Sequence, residues 1–156
     1  MDHRIFLVCE EGDLDSLKEI LETEPGAVNA RDRKQFTPLH AVASTDLLEV
    51  AVLLLDKGAD INAKNDFGVT PLHIANYPEM TELLIQRGAS LNAIDKEGNT
   101  PLISLAGDQD GYDSMEVLLN AGASPRLENQ SGESARDIAV SREEDDKIQL
   151  LKEFGA

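Results

Sequence analysis

Three histidines, one cysteine and a knot of carboxylates are the residues of this chain whose types could do chemistry. His3, His40 and His73 could serve as bases or metal ligands, and Cys9 as a nucleophile. Gly107-Asp108-Gln109-Asp110-Gly111-Tyr112-Asp113 gathers three carboxylates as a calcium loop would. Its spacing fails the twelve-residue pattern and no Glu closes it, so an exposed acidic turn is the better reading. There is no Gly-rich phosphate loop, Cys-x-x-Cys pair, His-Glu-x-x-His or serine elbow. Cys9 reads more readily as a small buried hydrophobe than as a reactive thiol. The sequence thus offers no catalytic constellation and calls for no cofactor and no metal.

Two of the histidines stand in repeated surroundings. Thr37-Pro38-Leu39-His40 and Thr70-Pro71-Leu72-His73 lie 33 residues apart, and Thr100-Pro101-Leu102-Ile103 follows 30 later. A degraded start, Gly132-Glu133-Ser134-Ala135-Arg136-Asp137, keeps the frame. Thr caps a helix through its hydroxyl, and Pro fits the first helical position, where no N–H is needed. About twenty residues on, after Leu-rich runs, come Gly58-Ala59-Asp60, Gly88-Ala89-Ser90 and Gly122-Ala123-Ser124. Gly there is a left-handed helix stop. The intervening Asn, Asp and Gly residues predict a turn or short hairpin.

The period, the Thr-Pro-Leu-His starts, the Leu53-Leu54-Leu55 run and Gly58-Ala59-Asp60-Ile61-Asn62-Ala63 resemble the ankyrin repeat. The resemblance implies an all-α solenoid of stacked helix-turn-helix units joined by short β-hairpin loops, with N- and C-terminal caps. Its frame places an N-terminal cap at 1–31, repeats at 32–64, 65–94 and 95–128, and a C-terminal cap at 129–156, all one domain. In the family the His of Thr-Pro-Leu-His ties repeats together, a structural role for His40 and His73. Ile103 lacks that tie. Helices are expected over 2–11 and 13–24, and the strongly acidic caps at both ends look like those of a whole protein.

The units are not uniform. Asp46 and Leu47 replace the Gly-His common in the inter-helix turn of the family, and the helix after them is more apolar than one stripe needs. Repeat 65–94 is three residues shorter than its predecessor near Asn76-Tyr77-Pro78, so both of its helices are expected to be short. Repeat 95–128 is one residue longer, at its acidic turn. In the closing cap, Ile148, Leu150, Leu151 and Phe154 form the expected inward stripe.

A net charge of −16, from 14 basic and 30 acidic residues, argues against nucleic acid as a partner. It favours encounter with a basic protein surface, or simply keeps an acidic exterior soluble. No apolar run could span a bilayer, and the start has no export-signal pattern, so a cytoplasmic protein is expected. A lone cysteine fits a reducing compartment.

The resemblance implies a non-catalytic protein-protein interaction module, monomeric when free, that inhibits or stoichiometrically binds a partner. An immunity protein that neutralises a toxin is one form, and an adaptor or scaffold is the alternative; an enzyme or a bare spacer fits less well. The family's variable positions lie on the hairpin tips and first helices. Here the tips carry Arg33, Lys34 and Phe36, then Asp66, Phe67 and Val69, then Lys96, Glu97 and Asn99. Phe36 and Phe67, with Tyr77 and Tyr112 on the concave side, are the candidate apolar centre of a partner site. The alternative is that each Phe packs onto a neighbouring hairpin. Asn62, with Leu54 and Asp60 before it, also has the spacing of an asparaginyl hydroxylation site in animal ankyrin-like proteins; otherwise it bonds its own hairpin.

Overall fold

The computed structural model describes residues 4–156; Asp2, His3 and the first positions of the expected first helix lie outside the described residues. Nine α-helices run in chain order: α1 Arg4–Glu11, α2 Leu14–Thr23, α3 Pro38–Ala43, α4 Leu48–Asp56, α5 Pro78–Gln86, α6 Pro101–Ala106, α7 Tyr112–Asn120, α8 Ala135–Ser141 and α9 Asp145–Glu153. Two 3-10 helices, Pro25–Asn29 and Pro71–Ile74, complete the series among the described residues. The first helices of the units stack as one row: α1 on α3, α3 on Pro71–Ile74, that turn on α6, and α6 on α8. A second row runs α4, α5, α7, α9. Between the rows lies one aliphatic core, in which Leu17, Leu39, Leu54, Leu72, Leu84, Leu102, Leu118 and Leu151 are buried. Each unit buries its apolar face only against its neighbours, which is why the architecture is a stack.

The starts cap as their residue types require. Thr37 Oγ1 accepts from the His40 N–H, while the His40 ring accepts from the Thr37 N–H at 3.2 Å. Thr70 and His73 repeat this box. The degraded start keeps it in another chemistry: Ser134 takes the place of Thr, and the Asp137 carboxylate accepts both the Ser134 N–H (2.9 Å) and its hydroxyl. Those bonds hold the Asp137 carboxyl below its ordinary pKa.

The shortened unit loses its residues from one place. Its first helix shrinks to the 3-10 turn Pro71–Ile74, but α5 keeps nine residues, as many as α4 and α7. The expectation that both helices shorten is therefore corrected for the second. Pro78 occupies the first turn of α5, where its missing N–H leaves the helix intact. The apolar excess of α4 goes into packing, with Val50, Ala51 and Leu54 buried and Leu48, Leu53 and Leu55 half-buried against the core.

The last helix differs from its expected stripe. Leu150 and Leu151 are buried, but Phe154 ends the helix 38% exposed, and Lys147 takes the interior place at 2% exposure. Its ammonium donates to the Asp108 carbonyl in the turn of the preceding unit and lies 3.9 Å from Glu144. A buried cation needs such acceptors, so this lysine clamps the cap to the acidic turn.

Candidate protein-binding surface

Each loop is built on one Asx residue at its start. Asp32, Asn65, Asp95 and Asn129 each accept, through one side-chain oxygen, from the N–H groups two and four residues on, at 2.8–3.0 Å. The loops then bond to one another, Asp66 N–H to Lys34 O, Lys96 N–H to Phe67 O and Gln130 N–H to Glu97 O, at 2.9–3.0 Å. They are hairpin-shaped without strand ladders; among the described residues a single isolated bridge, Glu128–Ser134, has β pairing. A Cβ on Gly68 would sit 2.9 Å from the Lys96 nitrogen, so this close approach requires glycine. Gln35 holds the matching position of the first loop at a φ of 64°.

Two further ladders run beside these bonds. The Nε2 of His40 meets the Val69 carbonyl, and that of His73 the Asn99 carbonyl, each at 3.0 Å. A carbonyl only accepts, so Nε2 carries the hydrogen while Nδ1 accepts from the threonine; the ring is neutral. Burial pushes both imidazoles below their ordinary pKa, against the opposing pull of the carbonyl bond. The side chains of Asn29, Asn62 and Asn92 form the second ladder, accepting from the N–H groups of Asp60, Ser90 and Ser124 in the following units. The Asn62 side chain therefore bonds the next repeat, while its N–H donates to Asp60 Oδ1 in its own hairpin at 3.0 Å. These rungs are visible in the sequence as asparagines at matching positions, a signal that only the stacked geometry makes legible.

The candidate residues fall into separate groups. Arg33, Lys34 and the half-buried Phe36 line a groove of about 790 Å³ with Phe6 and Leu7 of α1 and Ala41 of α3. Phe36 also meets the His40 ring edge-on at 5.5 Å. Phe67 is 52% exposed, with the Lys34 ammonium 5.9 Å from its ring centre. Asp66 and Lys96 are exposed on the tips, whereas Val69 and Asn99 are half-buried and give their carbonyls to the histidine ties. Glu97 and Asn99 border another hollow, with Asn129. Tyr77 and Tyr112 lie together in a cleft of about 560 Å³ at the inter-helix turns, apart from the phenylalanines. Leu7, missed in the sequence, is the most exposed large apolar side chain of the first groove at 55%.

The residues with chemical potential are otherwise engaged. Cys9 is fully buried, and burial, with Glu10 nearby, pushes its thiol up to about 12. His40 and His73 are committed to caps and ties. Among the described residues no cluster of His, Cys, Asp or Glu could hold a metal ion, and no helix is long and apolar enough to cross a membrane.

Comparison with known proteins agrees with this architecture. A family model described as ankyrin repeats in three copies matches residues 5–95, and a second, of ankyrin repeats in many copies, matches 76–139. Alpha-latrocrustotoxin-Lt1a of Latrodectus tredecimguttatus is 42% identical over 74 residues, covering 47% of this chain and 5% of the toxin. A Caenorhabditis elegans homologue of transient receptor potential cation channel subfamily A member 1 is 47% identical over 68 residues, 44% of this chain and 6% of the channel. Human ankyrin repeat and SOCS box protein 9 is 40% identical over 81 residues, 47% of this chain and 27% of that protein. The chain thus spans a small part of the relatives it matches, and what they share is the repeat. With Thr-Pro starts, glycine stops, two stacked helix rows and family models over most of its length, this chain belongs to the ankyrin repeat family, a family of protein-protein interaction modules.

Proposed function

We propose that the chain is a stoichiometric binder, and in the simplest case an inhibitor, of a partner protein that it engages through its first-helix row and hairpin tips. The observation that carries this reading is the groove between α1, α3 and the first loop. Phe6, Leu7, Phe36 and Ala41 supply an apolar floor, and Glu10, Asp32, Arg33 and Lys34 a charged rim. An apolar centre with a polar rim is the usual anatomy of an interface. The Asx and loop-to-loop bonds hold the tips rigid, which lowers the ordering cost of association. The exposed Phe67 extends the surface along the tips. An immunity-type neutraliser of a toxin is one inhibitor of this kind. The adaptor reading is favoured by the separate Tyr77–Tyr112 cleft, which would let two partners bind at once.

The test compares parent chain, Leu7→Asp, Phe36→Ala and Phe67→Ala as baits in extract from the native source. A partner held one-to-one by the parent should be weakened by about 1 kcal/mol or more in each variant at a true hot spot, with melting temperature unchanged. Variants that bind as the parent does, or lose binding only by unfolding, would place the interface elsewhere. Titration of the purified partner's own activity then separates inhibitor from adaptor.

A further inference from the structure

The cleft holding Tyr77 and Tyr112 lies where the two inter-helix turns of altered length meet the starts of α5 and α7. Asn76, Tyr77 and Pro78 come from the turn that lost residues, and Gln109, Asp110, Tyr112 and Asp113 from the neighbouring turn that gained one. A smaller recess of about 300 Å³ lies at the corresponding turns of the first two units, between Gly12 and Asp46-Leu47; here the long turn stands beside the notch of the short one.

Its base is rigid. Thr81 Oγ1 bonds the Ala75 carbonyl (2.8 Å), the Tyr77 carbonyl (3.1 Å) and Ser114 Oγ (3.0 Å), joining α5 to α7 beneath the cleft. Thr81, Ser114, Met80 and Met115 are all fully buried. Gly111 lies so close to the Leu105 carbonyl that a Cβ there would stand 2.3 Å from the oxygen. Behind the turn, Lys147 donates to the Asp108 carbonyl.

Its lining is left open. Tyr77 and Tyr112 are 42% and 37% exposed although both belong to a preorganised recess. The Asn76 side-chain oxygen is a buried acceptor without a partner. No hydrogen bond or ion pair among the described residues engages the carboxylates of Asp110 and Asp113. Burial first, and then the carboxylates of Glu116, Asp146, Glu153 and Asp113, push the Tyr112 hydroxyl above its ordinary pKa. Two exposed tyrosines and two unpaired carboxylates in one cleft of a chain of net charge −16 are the complement of one group, a flat cation with several donors.

We propose that this cleft receives an arginine side chain of a partner protein, its guanidinium against Tyr77 and Tyr112 and its N–H groups directed to Asp110 and Asp113. Lysine supplies the charge but not the plane or the fork of donors. The inference rests on the reading of the chain as a protein binder, but it concerns a site apart from the Phe36 groove, and the two can fail separately.

The full chain is titrated with acetyl-Gly-Arg-Gly-amide at constant ionic strength, and backbone amide shifts are followed by NMR. Saturable shifts confined to Asn76, Tyr77 and residues 109–113 are expected. The citrulline peptide, of the same shape without charge, should bind at least tenfold more weakly, and the lysine peptide several-fold more weakly. Tyr77→Ala and the double variant Asp110→Asn, Asp113→Asn should each weaken the arginine peptide at least fivefold without a change in melting temperature. Phe36→Ala should leave it unaltered, so loss of partner capture in that variant speaks only to the groove. Shifts that do not saturate or lie elsewhere, equal binding of the citrulline or lysine peptide, or full binding to Tyr77→Ala would overturn the proposal.

Discussion

The first half of the stack is held together by polar rungs, and the second half largely gives them up. His40 and His73 tie each unit to the next through backbone carbonyls. At the third start Ile103 takes the position, buried at 3% exposure. The Glu133 carbonyl, counterpart of Val69 and Asn99, then accepts only within its own loop. A second polar series behaves alike: Arg31 donates to the Lys64 carbonyl and Lys64 Nζ to that of Ile94, after which the position is Ile94 and then Leu127, both exposed. The asparagine ladder continues there at Asn92–Ser124, and it is joined by a buried clamp, Lys147 on the acidic turn, and by side-chain bonds from Asn129 Nδ2 to Asn99 Oδ1 and from Gln130 Nε2 to the Lys96 carbonyl. Equivalent helices can thus be fastened by repeated exposed or ring-mediated bonds or by a buried ammonium, with different sensitivities to mutation and pH.

The largest effect is expected at the single clamp. Lys147→Ala removes the buried stem and leaves the Asp108 carbonyl with only the Gly111 N–H at 3.3 Å, and should cost about 3 kcal/mol in urea unfolding. Lys147→Met, which restores the stem alone, should recover part of that loss. If Lys147→Ala unfolds at the parent's midpoint, the second half is not held in this way.

Next come the repeated rungs. His40→Ala or His73→Ala leaves a helix-start N–H unpaired and takes one of two donors from the Val69 or Asn99 carbonyl, for about 2 kcal/mol each. These residues also set a pH dependence. Their folded-state pKa lies below the ordinary value of about 6.5, so the unfolded chain takes up protons first as the pH falls. Their contribution is complete above about 6.5, declines as the pH drops toward the depressed folded value, and then levels off. Denaturation midpoints between pH 7.5 and 5 should fall for the parent and flatten in the double variant His40→Ala, His73→Ala. An equal slope in both would disprove the neutral-tautomer tie.

Smaller is the expected gain from Gln35→Gly. The other three loops place Gly68, Gly98 and Gly132 at positive φ where the first has Gln35 at 64°. Relief of that conformation should add about 1 kcal/mol, read as a raised melting temperature. The smallest change tests whether the lost rung can be restored. Ile103→His exchanges buried apolar surface for a bond to Glu133, two terms that nearly cancel. Its midpoint at pH 7.5 should move by less than about 1 kcal/mol, while its pH slope steepens.

Much of the architecture was legible in the residues alone. Thr37-Pro38, Thr70-Pro71 and Thr100-Pro101 mark helix starts and Gly58, Gly88 and Gly122 mark stops, because caps and left-handed turns are settled by bonds between residues three to five apart. The family followed from those marks and their period. The grouping of the candidate residues was not legible: Phe36 and Tyr77, expected in one apolar centre, line different hollows.

The tertiary structure decided everything that spans a unit or more. Asn62 finds Ser90, Lys147 finds Asp108, and Tyr77 finds Tyr112 across separations of 28, 39 and 35 residues. Such partners depend on how far each helix pair rises and turns against the last. Where the turns are regular, equal spacing transmits that geometry and the rungs repeat; where one turn loses residues and the next gains one, the shift brings side chains together that no local pattern pairs. The sequence therefore carried the repeat, and the stack chose its exceptions.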